Sequence, residues 1–168
     1  TENKVTDINS LKDSSLEEER KTLIQTIGEN IQLRRIETID FTSEMKKGLY
    51  MHFDSKLAAI VITKDGSDEV ARNVAMHVSA FNPLCLSEDD IDKDVLEREK
   101  AIFANQAQES GKPQEIMDKI VEGKVKRFLS EVSLLSQDFV KDSEITVQEY
   151  LNQNSAIALD FVRLKVGE

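Results

Sequence analysis

The amino-acid sequence predicts an α+β fold, in which an antiparallel sheet packs against helices and an antiparallel hairpin of two helices projects from this core. Several short segments alternate apolar and polar residues and are joined by short polar links, a pattern typical of antiparallel strands. Other segments repeat apolar residues every three or four positions, which indicates helices with one buried face. Between residues 90 and 129 the apolar stripes narrow and two charged helices flank a Gly-Lys-Pro turn, which favours a hairpin packed on itself.

The order of these segments predicts how the chain is divided. Residues 1–89 form the core, residues 90–129 form the helical hairpin, and residues 130–168 return to the core. Residues 1–14 are polar with scattered apolar side chains, so we expect a loosely held lead-in to the first helix.

The first helix is predicted over about residues 16–27. Ser15 and Glu18 form a capping-box pair at its start. Its apolar face consists of Leu16, Leu23, Ile24 and Ile27. Gly28 follows at the position where a helix favours a residue in the left-handed conformation.

A change of period after Gly28 predicts strands. Ile31 and Leu33 alternate with polar residues and indicate a first strand. Residues 56–64 are nearly all apolar between their ends, which predicts a strand buried on both faces at the centre of its sheet.

Between these two segments, alternation predicts another strand with two distinct faces. Leu49, Met51 and Phe53 form the apolar face, which we expect to point into the core. Tyr50 and His52 then point outward. On this pattern alone, His52 is either a surface histidine near a sheet edge or a contact residue for a partner.

A second core helix begins after Ser67, which can cap it, and ends before Pro83. Its apolar face includes His77, which this position favours as a core or interface histidine, with a catalytic base as the alternative.

The hairpin helices are predicted over about 90–109 and 113–129, after a cap pair formed by Ser87 and Asp90. Their apolar residues suffice to pair the two helices, and the turn at Ser110–Pro113 becomes an exposed tip.

The return to the core begins with residues 131–140, which indicate a strand or an extended arm. Thr146 and Glu149 cap a short helix that runs to about Gln153, and alternation then predicts a last strand that ends near Val166.

Composition and charge restrict the partners and the compartment. Lys and Arg number 22 against 32 Asp and Glu, and this net charge of −10 argues against nucleic acid or an anionic membrane as the main partner. The single cysteine, Cys85, excludes an internal disulfide and indicates a reducing compartment. The longest apolar run, Leu57–Ile62, is far shorter than the ~20 residues that cross a bilayer, and no signal peptide is visible, so we expect a cytoplasmic protein or a piece of one.

No pattern indicates bond chemistry or a cofactor. The glycines form no dinucleotide or phosphate loop, because Gly111–Lys112 and Gly123–Lys124 are followed by Pro113 and Val125 where a Ser or Thr would bind Mg²⁺. No carboxylate–His or Ser–His constellation is visible, which disfavours a hydrolase. We therefore predict neither catalytic residues, nor a metal site, nor a cofactor.

Several strings in order resemble the elongation factor Ts family. They are EEER at 17–20, IGEN at 27–30, AMHV at 75–78, SGKP at 110–113, IVEG at 120–123 and the closing VGE. Each string alone is weak, whereas their shared order and spacing over nearly the whole chain are specific. The resemblance implies an α+β core with a coiled-coil hairpin, and a guanine nucleotide exchange factor that binds elongation factor Tu.

The resemblance also implies which residues contact that partner. Ile27 and Gly28 match a turn that touches it in this family, and His52 matches the histidine of the family's Tyr-x-His strand. Phe139 and Val140 match a segment that meets the other end of the partner.

Two regions of the family pattern do not appear in this sequence. They are the N-terminal three-helix domain of the ubiquitin-associated type and the first part of the core, whose Thr-Asp-Phe-Val motif the family directs toward the Mg²⁺ site of its partner. We therefore expect the C-terminal portion of such a factor. The alternative is an interaction module that binds a partner without exchange activity; a homodimer is left open.

Overall fold

A computed structural model describes residues 15–39, 41–109, 111 and 113–168. The chain divides into two compact units, the first ending at Thr42 and the second beginning at Ser43. The predicted lead-in over residues 1–14 and two residues of the predicted tip, Ser110 and Lys112, lie outside the described residues.

The described part of the first unit consists of one helix and an irregular segment. Helix α1 spans Ser15–Ile27, as predicted. Gly28 ends it with φ +78°, and its N–H donates to the Ile24 carbonyl at 2.9 Å, which confirms the left-handed position. The predicted strand around Ile31 and Leu33 is wrong, because residues 31–36 form no strand.

The second unit is built on a three-stranded antiparallel sheet. Its strands are β1 (Met45–Met51), β2 (Leu57–Asp65) and β5 (Ala156–Lys165), in the order β1-β2-β5. The central position predicted for the apolar segment is therefore confirmed. A bulge between Ile62 and Thr63 shifts the register of β2 against β5.

Helix α2 (Asp68–Phe81) packs on one face of this sheet. The Ser67 side chain caps it by accepting from the Val70 N–H at 3.3 Å, as predicted. It ends at Asn82, which has φ 50° and donates its N–H to the Val78 carbonyl. The buried core combines α2, the inner face of the sheet and the C-terminal elements; it includes Ala59, Val61, Val74, Val78, Leu134, Phe139, Val147 and Leu151.

Two longer helices follow, α3 (Lys93–Gln108) and α4 (Gln114–Val132). They run antiparallel, because Phe103 packs edge-on against Phe128 while the Lys124 ammonium donates to the Gln106 side chain at 2.6 Å. The predicted Ser87–Asp90 cap pair is present but caps a single 3₁₀ turn. Asp92 caps α3 instead.

The segment predicted as a strand or an extended arm over 131–140 has a different structure. Helix α4 continues to Val132, a 3₁₀ turn spans Leu134–Ser136, and only Asp138–Phe139 forms a strand, β3. This strand pairs with β4 (Asp142–Thr146), which leads into α5 (Val147–Gln153). The reciprocal cap between Thr146 and Glu149 is confirmed.

The two faces of β1 are reversed relative to the prediction. Leu49 and Met51 are 58% and 57% exposed, whereas Tyr50 packs against the core. Gly48 is buried on the same side as Tyr50, because it lies directly under α2. The predicted orientation of the apolar trio toward the core, and of Tyr50 outward, is therefore wrong.

Candidate functional site

The end of helix α1 presents the first pair of predicted contact residues. Ile27 is the last residue of the helix and its side chain is exposed. A Cβ atom on Gly28 would have no atom within 4 Å, so the space around this corner is open. The corner can offer one apolar side chain and a tight backbone turn to a partner.

Arg20 holds this corner in place, a role that the sequence analysis did not assign. Its guanidinium donates to both carboxylate oxygens of Glu17, at 2.7 and 2.6 Å, and to the carbonyl of Ile31 at 2.7 Å. The hydrogen bond with Glu17 raises the pKa of Arg20, so the charge on the guanidinium is retained. Since Ile31 follows the glycine turn, Arg20 fastens the outgoing chain to the helix that precedes it. The i, i+3 spacing of the acid and the base was the available signal.

His52 lies in the turn that joins β1 to β2, immediately after the last strand residue. Its Nδ1 lies 3.0 Å from Oδ1 of Asp54, and its backbone N–H donates to the Leu57 carbonyl at 2.8 Å. The side chain is 35% exposed. Because His52 lies beyond the strand, the alternation that was used to place it does not determine where it points.

Asp54 fixes the ring of His52. The same oxygen of Asp54 accepts from the Lys56 N–H at 3.0 Å. That backbone hydrogen bond, followed by the one with His52, lowers the pKa of Asp54, which therefore stays ionised and favours a proton on Nδ1 of the histidine. In the neutral ring, Nε2 is then the hydrogen-bond acceptor that remains for a partner.

Phe139 and Val140 have opposite environments. Phe139 is buried and stacks on the Tyr150 ring with a centroid separation of 4.1 Å. Val140 is exposed and lies in the turn between β3 and β4. The structure therefore places Phe139 as an internal anchor and leaves Val140 to face outward.

A buried histidine lies next to this turn. His77 is fully buried and its Nδ1 lies 3.1 Å from the backbone N of Val140. Its Nε2 lies 2.9 Å from Oε1 of Gln137, and its ring stacks on Phe81 at 4.6 Å. Burial lowers the pKa of His77, against the opposing effect of the Gln137 hydrogen bond, so the ring is neutral and hydrogen-bonded. The core position favoured by the sequence is confirmed.

Cys85 offers little for bond chemistry. The thiol of Cys85 is buried, and this burial raises its pKa, which makes it a poor nucleophile. Among residues 15–39, 41–109, 111 and 113–168, no group of three or more His, Cys, Asp or Glu is arranged to hold a metal ion. Within the same described residues, no helix combines the length and the apolarity needed to cross a membrane.

Comparison with known proteins identifies the family. A family model described as Elongation factor TS matches residues 1–168. The chain belongs to the elongation factor Ts family. An elongation factor Ts from Francisella tularensis subsp. novicida (strain U112) is 46% identical over 152 residues, which are 90% of this chain and 51% of that protein. One from Hahella chejuensis (strain KCTC 2396) is 41% identical over 165 residues, which are 98% of this chain and 57% of that protein.

The chain thus spans about half the length of the elongation factor Ts proteins that it matches. Within that half, the structure distributes the predicted contact residues over both units. Ile27 and Gly28 lie in the first unit, whereas His52, Phe139 and Val140 lie in the second.

Proposed function

We propose that this chain binds elongation factor Tu and promotes release of GDP from it as a non-covalent exchange factor. The observation that carries the proposal is the match of the elongation factor Ts family model to residues 1–168, supported by relatives that are 41–46% identical over most of the chain. The buried Cys85 thiol and the buried, neutral His77 are compatible with this role, because an exchange factor needs no nucleophile or general base.

The contact residues proposed for this function differ in what they offer. Ile27 provides an exposed apolar side chain beside the Gly28 turn, and His52 provides a ring nitrogen held in place by Asp54. Val140 provides a second exposed apolar contact, while Phe139 supports it from within the core. Apolar anchors beside oriented polar groups are typical of protein interfaces.

The energetic requirement is a difference in affinity between two states of the partner. A factor that binds nucleotide-free elongation factor Tu better than the GDP-bound form weakens GDP binding by the same factor, since the coupling is reciprocal. Weakening GDP binding a thousandfold requires about 4 kcal/mol of coupling free energy. Several separate contacts can provide this if each is made better with the nucleotide-free form.

Binding and exchange are separate parts of the proposal. This chain spans about half the length of the matched relatives, so a partner-binding module without exchange activity is the second candidate. The net charge of −10 continues to disfavour nucleic acid as a direct partner.

One experiment separates the two candidates. Elongation factor Tu loaded with a fluorescent GDP analogue is mixed with excess unlabelled GDP, with and without the 168-residue chain, and the loss of fluorescence is followed in a stopped-flow instrument. Exchange activity predicts a release rate that rises with chain concentration. Calorimetric binding to nucleotide-free elongation factor Tu without faster release would support the interaction module, and the absence of both would refute the proposal.

A further inference from the structure

We propose that His77 is a positioning residue that holds the Val140–Lys141 turn in the conformation that meets the partner. The inference rests on the proposed function, because it takes this turn as a contact with elongation factor Tu. The juxtaposition that carries it is the 3.1 Å approach of the buried Nδ1 of His77 to the backbone N of Val140.

The two-stranded sheet of β3 and β4 gives the Val140–Lys141 turn little support of its own. Strand β3 has only two residues, and its register with β4 is interrupted between Asp138 and Phe139. Phe139 pairs with Asp142, so Val140 and Lys141 are the two turn residues whose N–H groups lie outside the ladder. The N–H of Val140 has its acceptor outside the ladder, on helix α2.

Two side chains of α2, one helical turn apart, reach this hairpin. The carboxamide oxygen of Asn73 accepts from the Lys141 ammonium at 2.6 Å, and His77 accepts from the Val140 N–H. Residues four apart lie on the same face of a helix, so both ends of the turn are fastened to one rigid element. The ammonium is exposed, whereas the His77 ring is fully buried, and the buried bond is therefore the stronger constraint.

The hydrogen bonds around His77 have a single consistent direction. The carboxamide nitrogen of Gln137 donates to the Glu131 carbonyl at 2.7 Å, which leaves its oxygen to accept from Nε2–H of His77. Nδ1 therefore carries the lone pair that accepts from Val140. The chain of bonds runs from the end of α4 through Gln137 and His77 to the turn, and it fixes both the tautomer and the plane of the ring.

Two substitutions separate the acceptor from the rest of the side chain. His77→Asn retains an oxygen near the position of Nδ1 and loses the donor to Gln137. His77→Gln retains an amide nitrogen near the position of Nε2 and loses the acceptor for Val140. Both bury an amide and both give up one hydrogen bond, so a purely structural role predicts no selective change at the Val140 amide, whatever difference in stability the extra methylene of Gln causes.

The test measures the 168-residue chain and both variants in two ways. Amide hydrogen exchange of Val140 by NMR reports the turn itself. Calorimetry with nucleotide-free elongation factor Tu reports its presentation to the partner. We expect His77→Asn to retain slow exchange and to bind within about threefold of the parent, and His77→Gln to exchange faster and to bind about tenfold more weakly.

The outcomes distinguish this inference from the function on which it rests. Equal exchange of Val140 in the two variants would overturn the positioning role. Unequal exchange with equal affinity would show that His77 orders a turn that the partner does not contact, and would overturn the link to binding. If the parent chain fails to bind elongation factor Tu, the proposed function is refuted, and the exchange data alone then decide whether His77 positions the turn.

Discussion

Gly48 of strand β1 lies so close to Ala71 of helix α2 that a Cβ atom on Gly48 would be 2.0 Å from the carbonyl carbon of Ala71. The strand and the helix therefore pack backbone against backbone at this point. The obstacle is main chain, which cannot rotate away as a flexible side chain could. The absence of a side chain at Gly48 thus sets the distance between the sheet and the helix that carries His77.

We predict that Gly48→Ala lowers the free energy of unfolding by at least about 2 kcal/mol, because α2 must shift to accommodate the methyl group. Gly123→Ala is the matched control. Gly123 lies in α4 with nothing within 4 Å, so alanine there should stabilise the helix by about 0.5–1 kcal/mol. Chemical denaturation of both variants checks the pair. Similar effects at the two positions would contradict the close packing at Gly48.

At Gly28 the constraint is conformational instead of steric. No atom lies near a prospective Cβ, but φ is +78°, a region that β-branched residues avoid. Gly28→Val should therefore cost about 1–3 kcal/mol locally and weaken binding to elongation factor Tu, whereas Gly28→Asn should be nearly tolerated. The amide of residue 28 donates to the Ile24 carbonyl in the parent, so its hydrogen exchange measures how far each substitution opens the end of α1. Equal exchange rates in the valine and asparagine variants would contradict the predicted conformational constraint at Gly28.

The elements of the fold were predictable where a local signal determines them. Caps at Ser67 and Thr146 and the left-handed residue at Gly28 depend on neighbours within three or four positions, and all three were predicted. The extension of α4 to Val132 was not, since alternation in residues 131–140 resembles a strand, whereas Glu131 in fact lies within the helix, with its carboxylate 2.7 Å from Arg127 at i, i+4.

The predicted orientation of β1 was wrong for a different physical reason. Leu49 and Met51 are more hydrophobic than the residues on the other face of β1. The face that points inward is nevertheless the one that fits against α2, because it carries the small Gly48 and the flat ring of Tyr50. The alternation of apolar and polar residues alone cannot indicate such a close approach of the β1 backbone to the α2 backbone. The hydrogen bonds of His77 could not be predicted from the sequence either, because its partner Gln137 is 60 residues away along the chain.

For His52 we predict that alanine weakens binding to nucleotide-free elongation factor Tu by about tenfold while costing less than about 1 kcal/mol of stability. The side chain is partly exposed and its hydrogen bond with Asp54 lies in a solvated turn, where such polar contacts contribute little. Asp54→Asn is the companion variant, which retains the ring but weakens its orientation and should have a smaller effect on affinity. Calorimetry beside thermal unfolding checks both. Unchanged affinity for His52→Ala would remove this residue from the proposed interface.

The burial of His77 predicts a dependence of stability on pH. Its pKa is lowered in the folded chain relative to the ordinary value of 6.5, because burial disfavours the charged ring. Between the folded pKa and 6.5 the unfolded chain binds more protons, so stability rises with pH and is lost as pH falls below about 6.5. His77→Asn removes this contribution. Denaturation of parent and variant between pH 7.5 and 5 should therefore show a steeper loss in the parent, and parallel curves would contradict the assignment.

The last prediction concerns the division between the core and the helical hairpin. Helices α3 and α4 pair through Phe103 and Phe128 and through the bond between Lys124 and Gln106. The end of α4 continues into the buried segment at Ser133 and Leu134. Replacing residues 95–125 with a short Gly/Ser linker should leave a folded core, because few core side chains are removed and closing a loop of similar span costs little. Binding to elongation factor Tu should weaken only in part, since the proposed contacts lie elsewhere.

Thermal unfolding of this deletion variant beside the parent chain decides the question. Phe128→Ala is the milder comparison, because it removes one aromatic contact between the two helices and keeps the connection intact. A cooperative transition near that of the parent is expected for both. If the deletion variant loses its cooperative transition, the two helices stabilise the sheet and α2 directly, and the separation of residues 90–129 from the core does not hold.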